Sequence, residues 1–424
     1  MKRRSLSVRF LFPLFGALLV SRAGAQTPMT WQQVKDRFAQ ANPVLKASQA
    51  NIEESRAAEI TAYLRPNPQF SLSADGLQLN RGDAWRPLSG IVETPGISYL
   101  HERQEKRELR RDQAKASTAV AESTYLDQER NLVFNLRGAF VQVLQAKAVM
   151  QNAQENLAYW DKELGVQRER FHAGDLAQVD LNRMELQRVQ FEADFESATV
   201  NLRTAKIQLL MLLNDRTPID KFDVTGTFDF ADELKPLEDY RNLAMEARPD
   251  LKAAMQSVAL AKVAHQLAVA NGSTDPTFSV WYSHNPSFAN SFANETMGGS
   301  VSIPLRLFDR NQGEKARTQI DIARNERLVE ANQSQIFSDV DSAYWVMVQS
   351  LNLLKPYKNK YLPLATDVRD RVTFAYQNGG ASLLDFLDAE KSYRDTRLAY
   401  LNLIGSYLTA AAQMNMAIGR EILQ

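Results

Sequence analysis

The sequence predicts a mainly α-helical membrane protein of two tandem repeats, each with long helices and one β-hairpin, whose four strands are too few to close a barrel within one chain. Three observations lead there. The stretch FHAGDLAQVDLNRME (171–185) returns as YQNGGASLLDFLDAE (376–390), placing Gly174 on Gly379, Asp180 on Asp385 and Glu185 on Glu390 at a constant offset of 205, the mark of a duplicated unit. No proline occurs between Pro95 and Pro218, and that interval is rich in strong helix formers. Four short segments alternate apolar and polar residues with the period of two of a β-strand.

The N-terminus is taken first. Lys2, Arg3, Arg4 and Arg9 precede the apolar run FLFPLFGALLV (10–20) and the small residues AGA (23–25). That order is the one of a cleavable secretory signal, and the run is too short to span a bilayer. Cleavage is expected near Ala25, so residues 1–25 form the signal peptide. Its removal takes five basic residues from a balance of 50 against 50, leaving a net charge of about −5. Such a chain has no general basis for nucleic-acid binding. With 44% hydrophobic and 24% charged residues it is unlike a polytopic helical membrane protein. The lack of cysteine suits an exported protein without disulfides and rules out a lipid anchor on a cysteine after the signal.

The first repeat, 26–213, then reads as a helix over 31–64, a hairpin at about 68–100, a helix over 103–171, a tip turn at 172–175 and a helix over 177–213. In the turn, Gly174 takes a left-handed cap and Asp175 caps the next helix. The two shorter helices sum to about 71 residues against about 69 for the long one, so together they run alongside it end to end. Residues 214–236 separate the repeats. The second repeat, 237–424, follows the same plan: a helix over 237–272, a hairpin at about 275–308, a long helix over 313–376 kinked by Pro356 and Pro363, a turn at 377–380 and a helix over 382–418. In all, six helical segments are expected. At 1.5 Å per residue each long helix reaches roughly 100 Å.

The strands carry the membrane reading. TFSVWYSH (277–284) alternates Phe278, Val280 and Tyr282 with Ser279, Trp281 and Ser283, and SVSIPLRL (300–307) alternates Val301, Ile303, Leu305 and Leu307 with Ser300, Ser302, Pro304 and Arg306. In the first half Phe70, Leu72 and Ala74 share a face, with residues 88–100 as partner strand. Phe70, Trp85, Tyr99, Trp281, Tyr282, Phe288 and Phe292 suit the aromatic girdles of a transmembrane barrel. A barrel of outer-membrane type needs about eight strands, so the chain must oligomerise.

Signal, tandem halves, one hairpin per half, long helices and the paired Gly turns together resemble the TolC-like outer-membrane efflux channels over essentially the whole chain after Gln26. IPLRLFDRNQGEKA (303–316) and RPNPQ (65–69) are similar to the heavy-metal-efflux branch in particular. The resemblance implies a homotrimer with a twelve-stranded barrel in outer-membrane lipid, a twelve-column helical tunnel in the periplasm, and residues 214–236 as an equatorial belt. It also implies two partners, a periplasmic adaptor and an inner-membrane resistance-nodulation-division transporter. The tips at Gly174, Asp175, Gly379 and Gly380 become the adaptor-docking ends. Asp385 and Asp388 match the family's paired aspartates, which in a trimer form two rings of three carboxylates at a narrow mouth that favour cations. Taken without the family, the same two acids read as solvated charges on the first turns of a helix. Tyr376 matches a tyrosine that ties one hairpin to its neighbour, with Asp180 its acidic partner. The chain departs from that pattern at Ala381, where a well-known member has an arginine, so the charged half of the latch is missing.

Enzymatic chemistry finds no support. His101, His172, His265 and His284 show no metal-ligand spacing, and neither a P-loop nor a Gly-x-Ser-x-Gly elbow is present. No catalytic residue, metal site or cofactor is expected. The function expected from the resemblance is the exit duct of a tripartite pump passing metal cations or small toxic molecules out of the periplasm. The alternatives are the exit duct of a type I secretion system and a non-conducting periplasmic coiled-coil scaffold.

Overall fold

The structure is a computed structural model that describes residues 28–77, 79, 86–88, 90–231, 233–286 and 294–423. The expected signal peptide, Trp85, Phe288 and Phe292 lie outside the described residues. Two short helices, α1 (Trp31–Ala41) and α2 (Pro43–Ala62), lead into strand β1 (Gln69–Asp75). Strand β2 (Val92–Leu100) returns to the longest element, α3 (Lys106–Ala173), and α4 (Gln178–Leu212) runs back beside it. The second half repeats this with α5 (Leu237–Ala247), α6 (Pro249–Asn271), β3 (Thr277–His284), β4 (Glu295–Ser302), α7 (Gln312–Pro356), α8 (Leu362–Gln377) and α9 (Leu383–Ile418).

Three expectations need correction. The helices expected over 31–64 and 237–272 are each two, because Pro43 and Pro249 sit at a first helical position, where the missing N–H costs nothing. The breaks are repeat equivalents with equivalent ties: Asn42 Nδ2 donates to Leu212 O at 3.2 Å and Arg248 Nη1 to Ala417 O at 3.3 Å. Asn42 also caps α2, its Oδ1 accepting from the Val44 and Leu45 amides at 3.0 Å. Next, the long helix of the second half is interrupted by one π turn, Tyr357–Tyr361, between Pro356 and Pro363. A proline cannot donate and crowds the carbonyl four residues back, and a wider turn relieves both. Finally, β4 occupies Glu295–Ser302 rather than 300–307: residues 303–307 keep the alternation but lie beyond the point where Thr277, at the start of β3, pairs with Ser302.

The helices form four columns in the order α2/α4, α3, α6/α9, α7/α8, each packed on the next. The strands follow the same order, β1-β2-β3-β4, all antiparallel. Where α2, α3, α6 and α7 approach, Ala58, Ala62, Ala114, Ala261 and Ala264 line a cleft. Residues 214–231 cross the middle, with Phe222 and Val224 buried against α3 and α4, and Met29 bridging Val224. Asp223 there receives Lys147 at 2.5 Å and Lys206 at 3.3 Å. Burial alone would raise that carboxyl, but the two ammonium groups hold it below the usual range.

The sheet is inverted relative to one that covers a water-soluble core. In register, Phe70, Ile97, Val280 and Gly299 cross one face, with Leu72, Tyr99, Phe278, Tyr282, Met297 and Val301 around them. Most of these are exposed, Met297 to 80% and Phe70 to 72%. The other face carries Ser, Thr and Gly, with Trp281 near its middle and Gln69, Asp75, Val92 and Leu100 at strand ends. Exposed apolar residues also recur along the outer columns: Val179, Leu186, Val200 and Ile207 at heptad steps on α4, and Val346, Leu353, Leu364 and Val368 on α7 and α8.

The helical tips and their aromatic clamp

Both tips are closed by the same backbone device. At the first, Gly174 takes φ +85°, its amide donates to Phe171 O at 3.0 Å and the Asp175 amide to Arg170 O at 2.9 Å. At the second, Gly379 takes φ +76°, donating to Tyr376 O at 3.1 Å, and Gly380 donates to Ala375 O at 2.7 Å. These are Schellman turns, which need a residue free to adopt the left-handed region. A Cβ built on Gly174 or Gly379 would meet no atom within 4 Å, so the backbone alone demands glycine there.

The starts of the following helices differ. Asp175 does not cap α4, whose N-cap residue is Ala177 with no side-chain bond. Helix α9 has a complete capping box instead: Ser382 Oγ accepts from the Asp385 amide at 3.2 Å, and Asp385 Oδ2 accepts from the Ser382 amide at 3.1 Å and its hydroxyl at 2.6 Å. The Ser382 hydroxyl and amide hold the Asp385 carboxyl below the usual range. The signal for this box, Ser382 three residues before an acid, was legible in sequence. Asp388, one turn on, is exposed on the same side of α9 as Asp385.

Between these acids lies Phe386, fully buried. It belongs to a stack of four rings, one from each column: Phe191 of α4 on Trp160 of α3 (4.9 Å, 26°), Trp160 near Phe386 of α9 (6.0 Å, 15°), and Phe386 on Tyr376 of α8 (4.9 Å, 12°). Trp160 Nε1 donates to Met184 O at 3.1 Å, which satisfies the buried indole N–H. Leu164, Leu181, Met184 and Leu383 surround it, and Ala381 packs on the same core. Sequence reasoning missed this clamp because its members are distant in the chain and share no period.

Within the chain, Tyr376 and Asp180 are not hydrogen-bonded as expected. The Tyr376 hydroxyl donates to Gln167 Oε1 at 3.5 Å, because the stack on Phe386 aims the phenol toward α3, and Asp180 faces Arg183 at 3.6 Å. Burial raises the Tyr376 pKa, with Arg170 opposing and Asp180 adding. Behind it, Glu390 is buried, its Oε1 without a hydrogen-bond partner, and desolvation raises its pKa despite Tyr159 and Arg369 nearby. Its repeat mate Glu185 is exposed and paired with Arg168 at 3.0 Å, whereas Arg168 is matched in the second repeat by Thr373. Among the described residues no cluster of His, Cys, Asp and Glu is placed to hold a metal, and no helix is long and apolar enough to cross a membrane.

Comparison with known proteins agrees with this architecture. Residues 240–420 match the family described as Outer membrane efflux protein. The chain is 24% identical over 436 residues to the Cobalt-zinc-cadmium resistance protein CzcC of Cupriavidus metallidurans, covering 98% of both, and 20% identical to Outer membrane protein TolC of Vibrio cholerae, covering 96% of this chain and 95% of that one. In fold it is similar to CusC (TM-score 0.77, 18% identity, 98% of this chain and 100% of that one) and to the open state of the Neisseria gonorrhoeae MtrE channel (TM-score 0.74, 17% identity, 93% and 89%). Residues 240–420 thus carry the match to the outer membrane efflux protein family, and the four-stranded sheet and long columns are similar over nearly the whole chain to TolC-like outer-membrane channels.

Proposed function

We propose that three copies of this chain form a conduit across the outer membrane and periplasm for a pump driven by a resistance-nodulation-division transporter, joined to it by a periplasmic adaptor at the tips. The observation that carries this is the sheet: its apolar face is exposed, and among the described residues the outer edges of β1 and β4 have no partner strand. Pairing β4 of one copy with β1 of the next satisfies both edges, and the apolar stripes of α4 and α7/α8 meet along the same boundary. Three copies supply twelve strands, enough to close a barrel around a lumen. A periplasmic scaffold would have no use for a sheet with its apolar side to the outside. The name of the curated relative CzcC favours divalent metal cations as cargo, and the rings expected from Asp385 and Asp388 favour cations at the tip. The test is purification from outer membranes followed by crosslinking and single-channel recording. A detergent-resistant trimer with discrete conductance is expected, and a soluble monomer would overturn the proposal.

A further inference from the structure

Away from its strand ends, the Ser/Thr/Gly face of the sheet has one exception. Trp281 of β3, expected in the outward aromatic girdle, projects instead from this face, opposite to Tyr99 and Tyr282, and in register its two cross-strand neighbours are both glycine, Gly96 on β2 and Gly298 on β4. A Cβ at Gly298 would lie 2.6 Å from Trp281 Cε2 and Cζ2, and one at Gly96 would lie 3.2 Å from the Trp281 Cβ. The indole therefore lies flat over the β4 backbone in a bed that only glycine leaves open, and it turns its other ring face away from the wall. Along this face, between the terminal residues of the strands, every other side chain is Ser, Thr or Gly, and the one charge on it among the paired residues is Asp75 at the end of β1, two pairs away from the Trp281 level.

We propose that Trp281 is a binding platform in the lumen of the barrel for weakly hydrated organic cations, such as quaternary ammonium or aromatic cations. This rests on the reading above that the sheet closes into a trimeric barrel with its Ser/Gly face inward. Three indoles then stand at one level of the lumen, with Ser, Thr and Gly beside them and Asp75 two pairs away. Tryptophan offers the strongest cation-attracting ring face, and a quaternary cation gives up little hydration on reaching it, whereas a hydrated divalent metal ion holds its water and passes. Trp281 would thus retard one class of cargo without a charged filter.

The test is single-channel recording with tetrabutylammonium added to the extracellular side, where it meets the barrel before the tips. Blockade dwell times are expected to be about fivefold shorter in Trp281→Leu, which keeps apolar cover over Gly298 but has no π face, with Trp281→Tyr and Trp281→Phe in between. Asp385→Asn with Asp388→Asn should leave this dwell time unchanged. If Trp281→Leu yields no channels, the order Trp, Tyr, Phe decides by itself. Equal dwell times across the series would overturn the proposal and leave the indole as a cover for glycine backbone. A wild-type protein that forms no channel would instead remove the barrel reading, and this proposal with it.

Discussion

Tyr376 of α8 lies face to face on Phe386 of α9, ring centroids 4.9 Å apart and planes within 12°, and that contact joins the edge column to the helix bearing Asp385 and Asp388. The position of the two acids is thus coupled to the packing of a column at the edge of the four among the described residues.

Loosening that contact should loosen the tip. Tyr376→Ala empties a site that is 7% exposed and should cost about 3 kcal/mol locally, raising resting conductance in planar bilayers. Tyr376→Phe removes only the 3.5 Å bond to Gln167 and should raise conductance much less. Equal conductance in wild type and Tyr376→Ala would show that the clamp does not restrain the mouth.

The acids themselves are tested by charge removal. Asp385→Asn keeps an oxygen that can accept from Ser382, so the helix start survives while the negative charge goes. Together with Asp388→Asn it should abolish block by multivalent cations and cation selectivity without loss of the trimer. Block at an unchanged cation concentration would place the filter elsewhere.

Bulk at the tip glycines should separate assembly from docking. Because open space surrounds both positions, Gly379→Trp or Gly174→Trp meets only the left-handed strain, about 1 kcal/mol. Trimers should form and conduct in bilayers while efflux in cells is lost. Full resistance of a Gly379→Trp strain would exclude an adaptor that seats on these turns.

Glu390 makes the tip respond to pH. Its folded pKa is raised by burial, so the folded tip binds the proton more tightly than the unfolded chain does. The stabilisation is complete below the unfolded carboxyl pKa and is lost as pH rises through the raised value. Amide protection in α8 and α9, taken relative to the intrinsic exchange rate at each pH, should accordingly be higher at pH 5 than at pH 8. Glu390→Gln should flatten that dependence, and the same slope in the variant would assign it to another group.

Much of the architecture was legible because its signals are local. Glycines 205 positions apart showed the repeat, and a proline-free interval bounded α3 to within three residues of its observed start. The internal breaks were less so: Pro43 and Pro249 fit a helix start as well as they signal an end, so alternation of apolar residues ran through them. At the tip, the turn glycines could be picked out by spacing, and the two acids only through the family resemblance. The ring stack could not, since Trp160, Phe191, Tyr376 and Phe386 come together only once four columns have docked. The aim of the Tyr376 hydroxyl is a product of that docking too.

Columns and strands share a single left-to-right order, so the chain is in effect a strip with one pair of raw margins running from sheet to tip. No bond inside such a strip counts copies. The count is set by how sharply the strip bends between its columns, as staves fix the girth of a cask. Ala58, Ala62, Ala114, Ala261 and Ala264 line the cleft where α2, α3, α6 and α7 approach, so bulk added there would bear on that bend. Stoichiometry is therefore a matter of how the columns pack on one another beneath the sheet, not of any single bond.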